Sequence, residues 1–282
     1  MTLTDLAKRL TSYYDIQEAR GIVRLLLSDL YGMSLTDICV GALDRLTEEQ
    51  TQQIEDAMLR LEKGEPVQYV TGKAHFCDRT FLVSPSVLIP RPETELLCQL
   101  IADNDQAVTG NGEIRVLDMG TGSGCIAITL ALGMQNASVE AWDVSAEALN
   151  MAKSNAESLG ASVSFEQIDI LGLDENNVER CYDIIVSNPP YICNKEAAQM
   201  EHNVLDFEPH LALFVPDEAP LLFYSAIARF ARQTLKVGGA LYFEINPLYA
   251  DALCSMLSSL GFANVTIYVD QFGKQRFISA KL

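Results

Sequence analysis

The sequence predicts an α/β chain: a Rossmann-like domain on a seven-stranded mixed sheet, preceded by a small N-terminal helical bundle and a hairpin connector. Three observations carry that reading. Residues 1–66 show helical periodicity without a strand pattern, prolines break up 67–91, and from residue 114 short apolar runs alternate with helical stretches. Strands that are apolar along their whole length and alternate with helices build a parallel sheet covered on both faces. A chain of 282 residues has room for more than one such unit.

In the first part, Ile22, Val23, Leu26, Leu27 and Leu30 recur at helical spacing behind Asp15, a candidate N-cap. Thr47-Glu48-Glu49-Gln50 has the pattern of a capping box and opens a helix through Ile54, Met58 and Leu61, which Gly64 and Pro66 end. A stretch of this length accommodates about four or five helices. In the connector, apolar runs at 69–72 and 81–83 flank polar Cys77-Asp78-Arg79-Thr80, as in a short hairpin or an extended connector. Pro85, Pro90 and Pro92 follow, and a helix is expected from Glu93. Strands then read over 114–119, 138–144, 162–168, 182–186, 240–245, 265–269 and 276–280. Helices read over 125–132, 146–159, 221–235 and 250–260. The last two strands are joined by 270–275 alone, too short for a crossover, so that pair should be antiparallel. The expected division is therefore 1–66, 67–91 and 92–282.

Composition narrows the partners. Lys and Arg total 20 against 38 Asp and Glu, a net charge of −18. Affinity for a phosphate backbone comes largely from counterion release to basic side chains, so nucleic acid is not an expected partner. The 7 cysteines include no Cys-x-x-Cys pair, and neither a disulfide framework nor a metal site is expected. The N-terminus lacks the apolar core of a signal peptide, and no run reaches the roughly 18 apolar residues of a membrane span. A soluble cytoplasmic protein is expected.

The chemistry begins at Asp118-Met119-Gly120-Thr121-Gly122-Ser123-Gly124, a strand end turning through glycines into a helix. In a doubly wound sheet that turn receives a nucleotide-like cofactor. The dinucleotide fingerprint would place a glycine where Cys125 stands, and the lysine of a phosphate-binding loop is missing. Asp118 at the strand end would repel a pyrophosphate but suits an ammonium or a sulfonium. S-adenosylmethionine fits these charges better than NAD or ATP. Asp143, ending the next strand, is the candidate acceptor for a ribose diol, since Ser145 is already placed to cap the following helix. Asp169 is the candidate partner of an adenine amino group, with Ile170 beside the ring.

The strand 182–186 runs into Ser187-Asn188-Pro189-Pro190-Tyr191. An amide or exocyclic amine nitrogen is a poor nucleophile because its lone pair is delocalised. Two acceptors that hold its N–H bonds aim the lone pair, and the Asn188 side-chain carbonyl and Pro189 backbone carbonyl can serve. Pro189 and Pro190 fix φ and bring no competing donors, while Tyr191 can stack on a planar substrate group. His75, His202 and His210 pair with no nucleophile pattern and read as structural.

These segments, with the run 143–149, resemble class I S-adenosylmethionine methyltransferases acting on nitrogen. Leu88-Ile89-Pro90-Arg91-Pro92-Glu93-Thr94-Glu95 and Phe207-Glu208-Pro209-His210-Leu211-Ala212-Leu213 narrow the likeness. Over essentially its whole length the chain is similar to the peptide-chain-release-factor glutamine methyltransferases, the PrmC/HemK family. The resemblance implies transfer from S-adenosylmethionine to the side-chain amide of the glutamine in a release factor's Gly-Gly-Gln loop. It implies Asn188, Pro189, Pro190 and Tyr191 as catalytic residues. Gly120, Thr121, Gly122, Ser123, Gly124, Asp143, Asp169, Ile170 and Asn188 would bind the cofactor, and the N-terminal bundle would recognise the release factor. Asn-Pro-Pro-Tyr is shared with adenine-N6 methyltransferases, so an adenine in DNA or RNA is the alternative substrate. A silent cofactor-fold binding module is a third reading, against which the intact acceptor loop argues. Two departures stand out: Asn246 occupies a position where the family commonly has glycine after Glu-Ile, and Ile170 replaces an aromatic found in some members.

Overall fold

The computed structural model describes residues 1–105, 112–173 and 181–282. Its contacts divide the chain into two compact units, one of residues 1–74, 83–85 and 200–207, the other of 75–82, 86–199 and 208–282.

The first unit holds α1 (Leu3–Arg9), α2 (Ile16–Tyr31), α3 (Leu35–Cys39), α4 (Glu48–Leu61) and α5 (Val67–Thr71). Asp15 caps α2 by accepting from Gln17 N and Glu18 N, and the Thr47–Gln50 capping box closes reciprocally at the start of α4. Val23, Leu26 and Leu27 of α2 and Ile54, Met58 and Leu61 of α4 share one core. The stretch 69–72 is a correction: it ends a helix and does not form a strand. Pro66 opens α5, Gly72 ends it in the left-handed region, and the Arg60 guanidinium donates to the Tyr69 and Val70 carbonyls. Those contacts, with Val67 and Tyr69 buried, outweigh the strand preference of Tyr and Val. The hairpin lies later, in β1 (Lys73–Phe76) and β2 (Arg79–Leu82), turning through Cys77 and Asp78 at φ 47° and 58°.

The second unit follows with α6 (Pro92–Asp105), β3 (Ile114–Met119), α7 (Cys125–Gly133), β4 (Ala137–Asp143), α8 (Ala146–Leu159), β5 (Val163–Gln167) and β6 (Tyr182–Ser187). After the short strand β7 (Ile192–Cys193) comes α9 (His202–Phe207), which belongs to the first unit, and then β8 (Phe214–Val215). The chain closes with α10 (Leu222–Thr234), β9 (Leu235–Glu244), α11 (Ala250–Ser259), β10 (Ala263–Val269) and β11 (Gln275–Lys281).

The seven-stranded sheet has the order β10-β11-β9-β6-β3-β4-β5. From β9 to β5 neighbours pair in parallel, and β11 pairs antiparallel with both β9 and β10, as the short link 270–275 requires. Alternation along the strands builds two cores. Leu117, Met119, Trp142 and Ile185 face α10 and α11, whereas Val116, Ala141, Ile184 and Val186 face α6 and α7. Burial on both faces accounts for the unbroken apolar strands. Among the described residues no helix is long and apolar enough to cross a membrane.

Candidate active site

The carboxyl ends of β3, β4 and β6 open onto a cavity of about 370 Å³. That is the edge where the reversal of strand order in an open α/β sheet leaves a crevice. Gly120, Gly122 and Gly124 all lie in the left-handed region, at φ 78°, 55° and 81°. The first two line the cavity, and a Cβ on either would meet nothing within 4 Å. At Gly124 a Cβ would stand 2.9 Å from Ile128 Cδ1 and 3.1 Å from Ala152 Cβ, so this glycine serves the packing of α7 on α8. The Gly120 and Thr121 N–H groups donate to the Trp142 carbonyl at 2.8 and 2.9 Å, fastening the turn to β4.

Asp118 is wholly buried behind the turn and does not line the cavity. Its Oδ2 accepts from Thr121 Oγ1 at 2.7 Å and from Ala127 N at 3.2 Å, while Oδ1 has no partner. Burial pushes its pKa up to about 7 against those two donors. The residue read as a partner for cofactor charge thus braces the glycine turn. Asp143 lines the cavity, and its oxygens accept from Gly122 N at 2.8 Å and Ser145 N at 2.9 Å. Burial raises its pKa, and the backbone donors from Ser145 and Gly122 oppose that. Ser145 caps α8 through Ala148 N, as its position suggested.

Thr121, Ser123, Asp169, Ile170, Asn188 and Pro190 also line the cavity. Asp169 is exposed there and caps the following turn by accepting from Leu171 N at 2.9 Å; Ile170 is buried against the sheet core. Among the described residues the Asn188 side chain has no hydrogen-bond partner. Pro189 is buried and Tyr191 is half-buried, and neither lines the cavity. The Tyr191 ring packs against the core beneath, and its hydroxyl donates to Glu244 Oε1 at 3.2 Å. Burial and that carboxylate raise the Tyr191 pKa. None of the three histidines lines the cavity; His210 stacks edge-on against Phe214.

Two known family models match the chain: one described as PrmC N-terminal domain over residues 2–72, the other as Methyltransferase small domain over residues 93–206. The release factor glutamine methyltransferase of Bacteroides thetaiotaomicron is 44% identical over 272 residues, covering 96% of this chain and 95% of that protein. The chain belongs to the release factor glutamine methyltransferase family. The protein of that name from Flavobacterium psychrophilum is 38% identical over 275 residues, covering 98% of this chain and 96% of its own. Among solved structures, the METTL16 methyltransferase domain shares the fold with a TM-score of 0.52 at 18% identity, over 71% of this chain and 88% of that one.

Membership of this family makes the chain an S-adenosylmethionine-dependent methyltransferase, and the cavity fits that cofactor. Its lining carries the carboxylates of Asp143, Glu147 and Asp169 and one cation, Arg91, whose charge is met by Glu208 at 2.6 Å. No lysine is among the lining residues. Such a wall suits a nucleoside bearing positive charge and disfavours a polyphosphate.

The wall also includes residues that motif reading left out of the site. Val87, Leu88, Pro90, Arg91 and Thr94 form one side, and Pro209, Leu211, Ala212 and Phe223 another. Glu208, buried, joins the two segments by accepting from Ile89 N at 3.3 Å and from Arg91. Both segments were visible as family signatures, without a signal that they face the cavity. Asn155 is a second omission. From the buried face of α8 it donates to the Ser123 carbonyl at 2.9 Å and to the Leu82 carbonyl at 3.0 Å. A polar residue in the apolar stripe of Ala148, Ala152 and Ala156 was the available clue. The family's glycine position poses no backbone difficulty, because Asn246 has φ −77°, open to any residue.

Proposed function

We propose that this chain methylates the side-chain amide nitrogen of the glutamine in the Gly-Gly-Gln loop of a peptide chain release factor. The observation that carries the proposal is the unpartnered Asn188 side chain on the cavity wall beside the glycine turn. S-adenosylmethionine, when bound, supplies a methyl group activated by the adjoining sulfonium. Asp143 would take the ribose hydroxyls, and Asp169 with Ile170 the adenine. Gly120, Thr121, Gly122 and Ser123 shape the floor, and Gly124 supports them from behind by letting α7 pack on α8. The Asn188 side-chain carbonyl and the Pro189 backbone carbonyl each accept one N–H of the glutamine amide, which turns the nitrogen lone pair toward the incoming carbon. Pro189 and Pro190 keep competing donors away. Catalysis is then alignment: as the nitrogen–carbon bond forms the carbon–sulfur bond would break, and the nitrogen, made cationic and acidic by the new bond, would release the proton held at the Asn188 carbonyl to solvent. Tyr191 acts from below the loop, through Glu244, and does not stack on the substrate.

In this reading residues 1–66 form a substrate-recognition unit, 67–91 a connector and 92–282 the catalytic unit. The net charge of −18 supports a protein substrate over nucleic acid, and a release factor as substrate would make this a cytoplasmic enzyme. The test is labelled-methyl transfer from S-adenosylmethionine to purified release factor, beside DNA and ribosomal RNA. Label should enter the release factor alone and be lost when its loop glutamine is replaced. Label in adenine would establish the nucleic-acid reading instead.

A further inference from the structure

The acceptor loop 188–191 is held at both ends. At its start, Ser187 pairs with Phe243 in the sheet, and its Oγ donates to the Met119 carbonyl. At its end, the last residue of β9 and a residue just past that strand take hold of Tyr191. Glu244 accepts from the Tyr191 hydroxyl, and Asn246 Nδ2 donates to the Tyr191 carbonyl at 3.2 Å. The second hydrogen of that amide points to Glu196, 3.1 and 3.2 Å from its two oxygens. Glu196 Oε1 in turn accepts from Cys193 N at 2.8 Å. Asn246 Oδ1 accepts from Leu248 N at 3.1 Å, so every polar atom of this buried side chain is engaged.

The chemistry of the loop explains why its end needs a hold. Pro189 and Pro190 fix φ but leave ψ free at each residue. Past the loop, Ile192 N donates to the Leu213 carbonyl at 3.0 Å and fixes the next residue, but with the Tyr191 peptide plane free the Asn188 side chain and the Pro189 carbonyl could still shift. Glu244 grips the Tyr191 side chain, which lies beyond two further torsions. Asn246 grips the Tyr191 main chain, which is continuous with the two prolines.

We infer that Asn246 is a positioning residue for methyl transfer, holding the end of the acceptor loop through the Tyr191 carbonyl. The inference rests on the proposed role of that loop. Asn246 touches neither the substrate nor the cavity, so its loss should act on turnover and spare cofactor binding.

The discriminating variant is Asn246→Asp, which keeps the size and the acceptor for Leu248 N but removes both donors. The kcat for transfer to release factor should fall about 10- to 100-fold, the scale of a small misplacement of reacting groups. Cofactor affinity, measured by calorimetry, should stay within about twofold. A kcat within about twofold of the unaltered chain would overturn the inference. So would a parallel loss of cofactor affinity, which would mark a general collapse. The carboxylate introduced faces Glu196, so Asn246→Asp/Glu196→Gln is the second variant. If that pair regains the original rate, repulsion was the cause and the hold on Tyr191 is refuted; a rate that stays low supports it. Hydrogen–deuterium exchange over 188–193 should rise in both variants, and unchanged exchange would refute the anchor without reference to turnover. An unaltered chain that does not methylate release factor would defeat the functional reading and leave this exchange result to decide the anchor.

Discussion

Asp143 and Asn188 face the same cavity with different prospects. Asp143 already accepts from two backbone N–H groups and has lone pairs left for a diol, whereas Asn188 is committed to nothing. Asp143→Ala should weaken S-adenosylmethionine binding by about 1–3 kcal/mol in calorimetry, the scale of lost charge-assisted hydrogen bonds. Asn188→Ala should keep cofactor affinity and lose about 10²-fold or more in kcat, as removal of one catalytic hydrogen bond commonly does. Retention of more than about a tenth of the rate would reject the alignment mechanism. Asp118 offers a third, pH-dependent outcome. Its value in the folded chain, about 7, lies above the ordinary 3.8. Between those values the folded chain holds a proton that the unfolded chain has released, so stability falls as pH rises through the interval. Asp118→Asn removes that share of the fall. In urea titrations the variant should gain on the unaltered chain by about 2–4 kcal/mol between pH 4.5 and 8. A difference independent of pH would show that Asp118 is not protonated in the folded chain.

At the scale of elements, legibility followed burial. The strands of the parallel sheet were readable because both faces are covered, which demands apolar residues throughout. Helix α5 was not, because its five residues carry strand-forming side chains and owe their conformation to Pro66, Gly72 and the distant Arg60. Around the cavity, the placement of the glycine turn, Asp143 and Asn188 was legible since strand-end position and residue type together specify it. The walls from 87–94 and 209–212 were not, because irregular segments have no periodicity that reports which way they face. The glycines of the turn also differ in a way the motif conceals. Gly120 and Gly122 open toward the cavity, while Gly124 is crowded by α7 and α8. Gly124→Ala joins an unfavourable φ of 81° to contacts of 2.9 and 3.1 Å, and should lower the unfolding free energy by about 1–3 kcal/mol. At Gly122, alanine meets only the φ cost and should leave stability nearer the original while impeding the cofactor. Equal destabilisation at both positions would deny this division.

For the whole molecule the open question is what the helical unit contributes. An amide within a folded protein's loop has to be presented by surfaces far from the cavity, and binding energy at such surfaces raises kcat/KM only for substrates large enough to reach them. The helical unit leaves Val40 62% and Leu59 52% exposed. Deleting the unit would be a poor test, because α9, which follows the acceptor loop in sequence, packs within it. Full-length Val40→Ser and Leu59→Ser are better, since exposed substitutions usually shift stability by no more than about 0.5 kcal/mol. If the unit binds the body of the release factor, kcat/KM on the intact factor should drop in one or both variants. On a short peptide carrying the Gly-Gly-Gln loop it should stay unchanged in both, because that peptide engages only the cavity and the acceptor loop. Equal losses on the two substrates would place the defect in the catalytic unit, and no loss on either would remove Val40 and Leu59 from recognition.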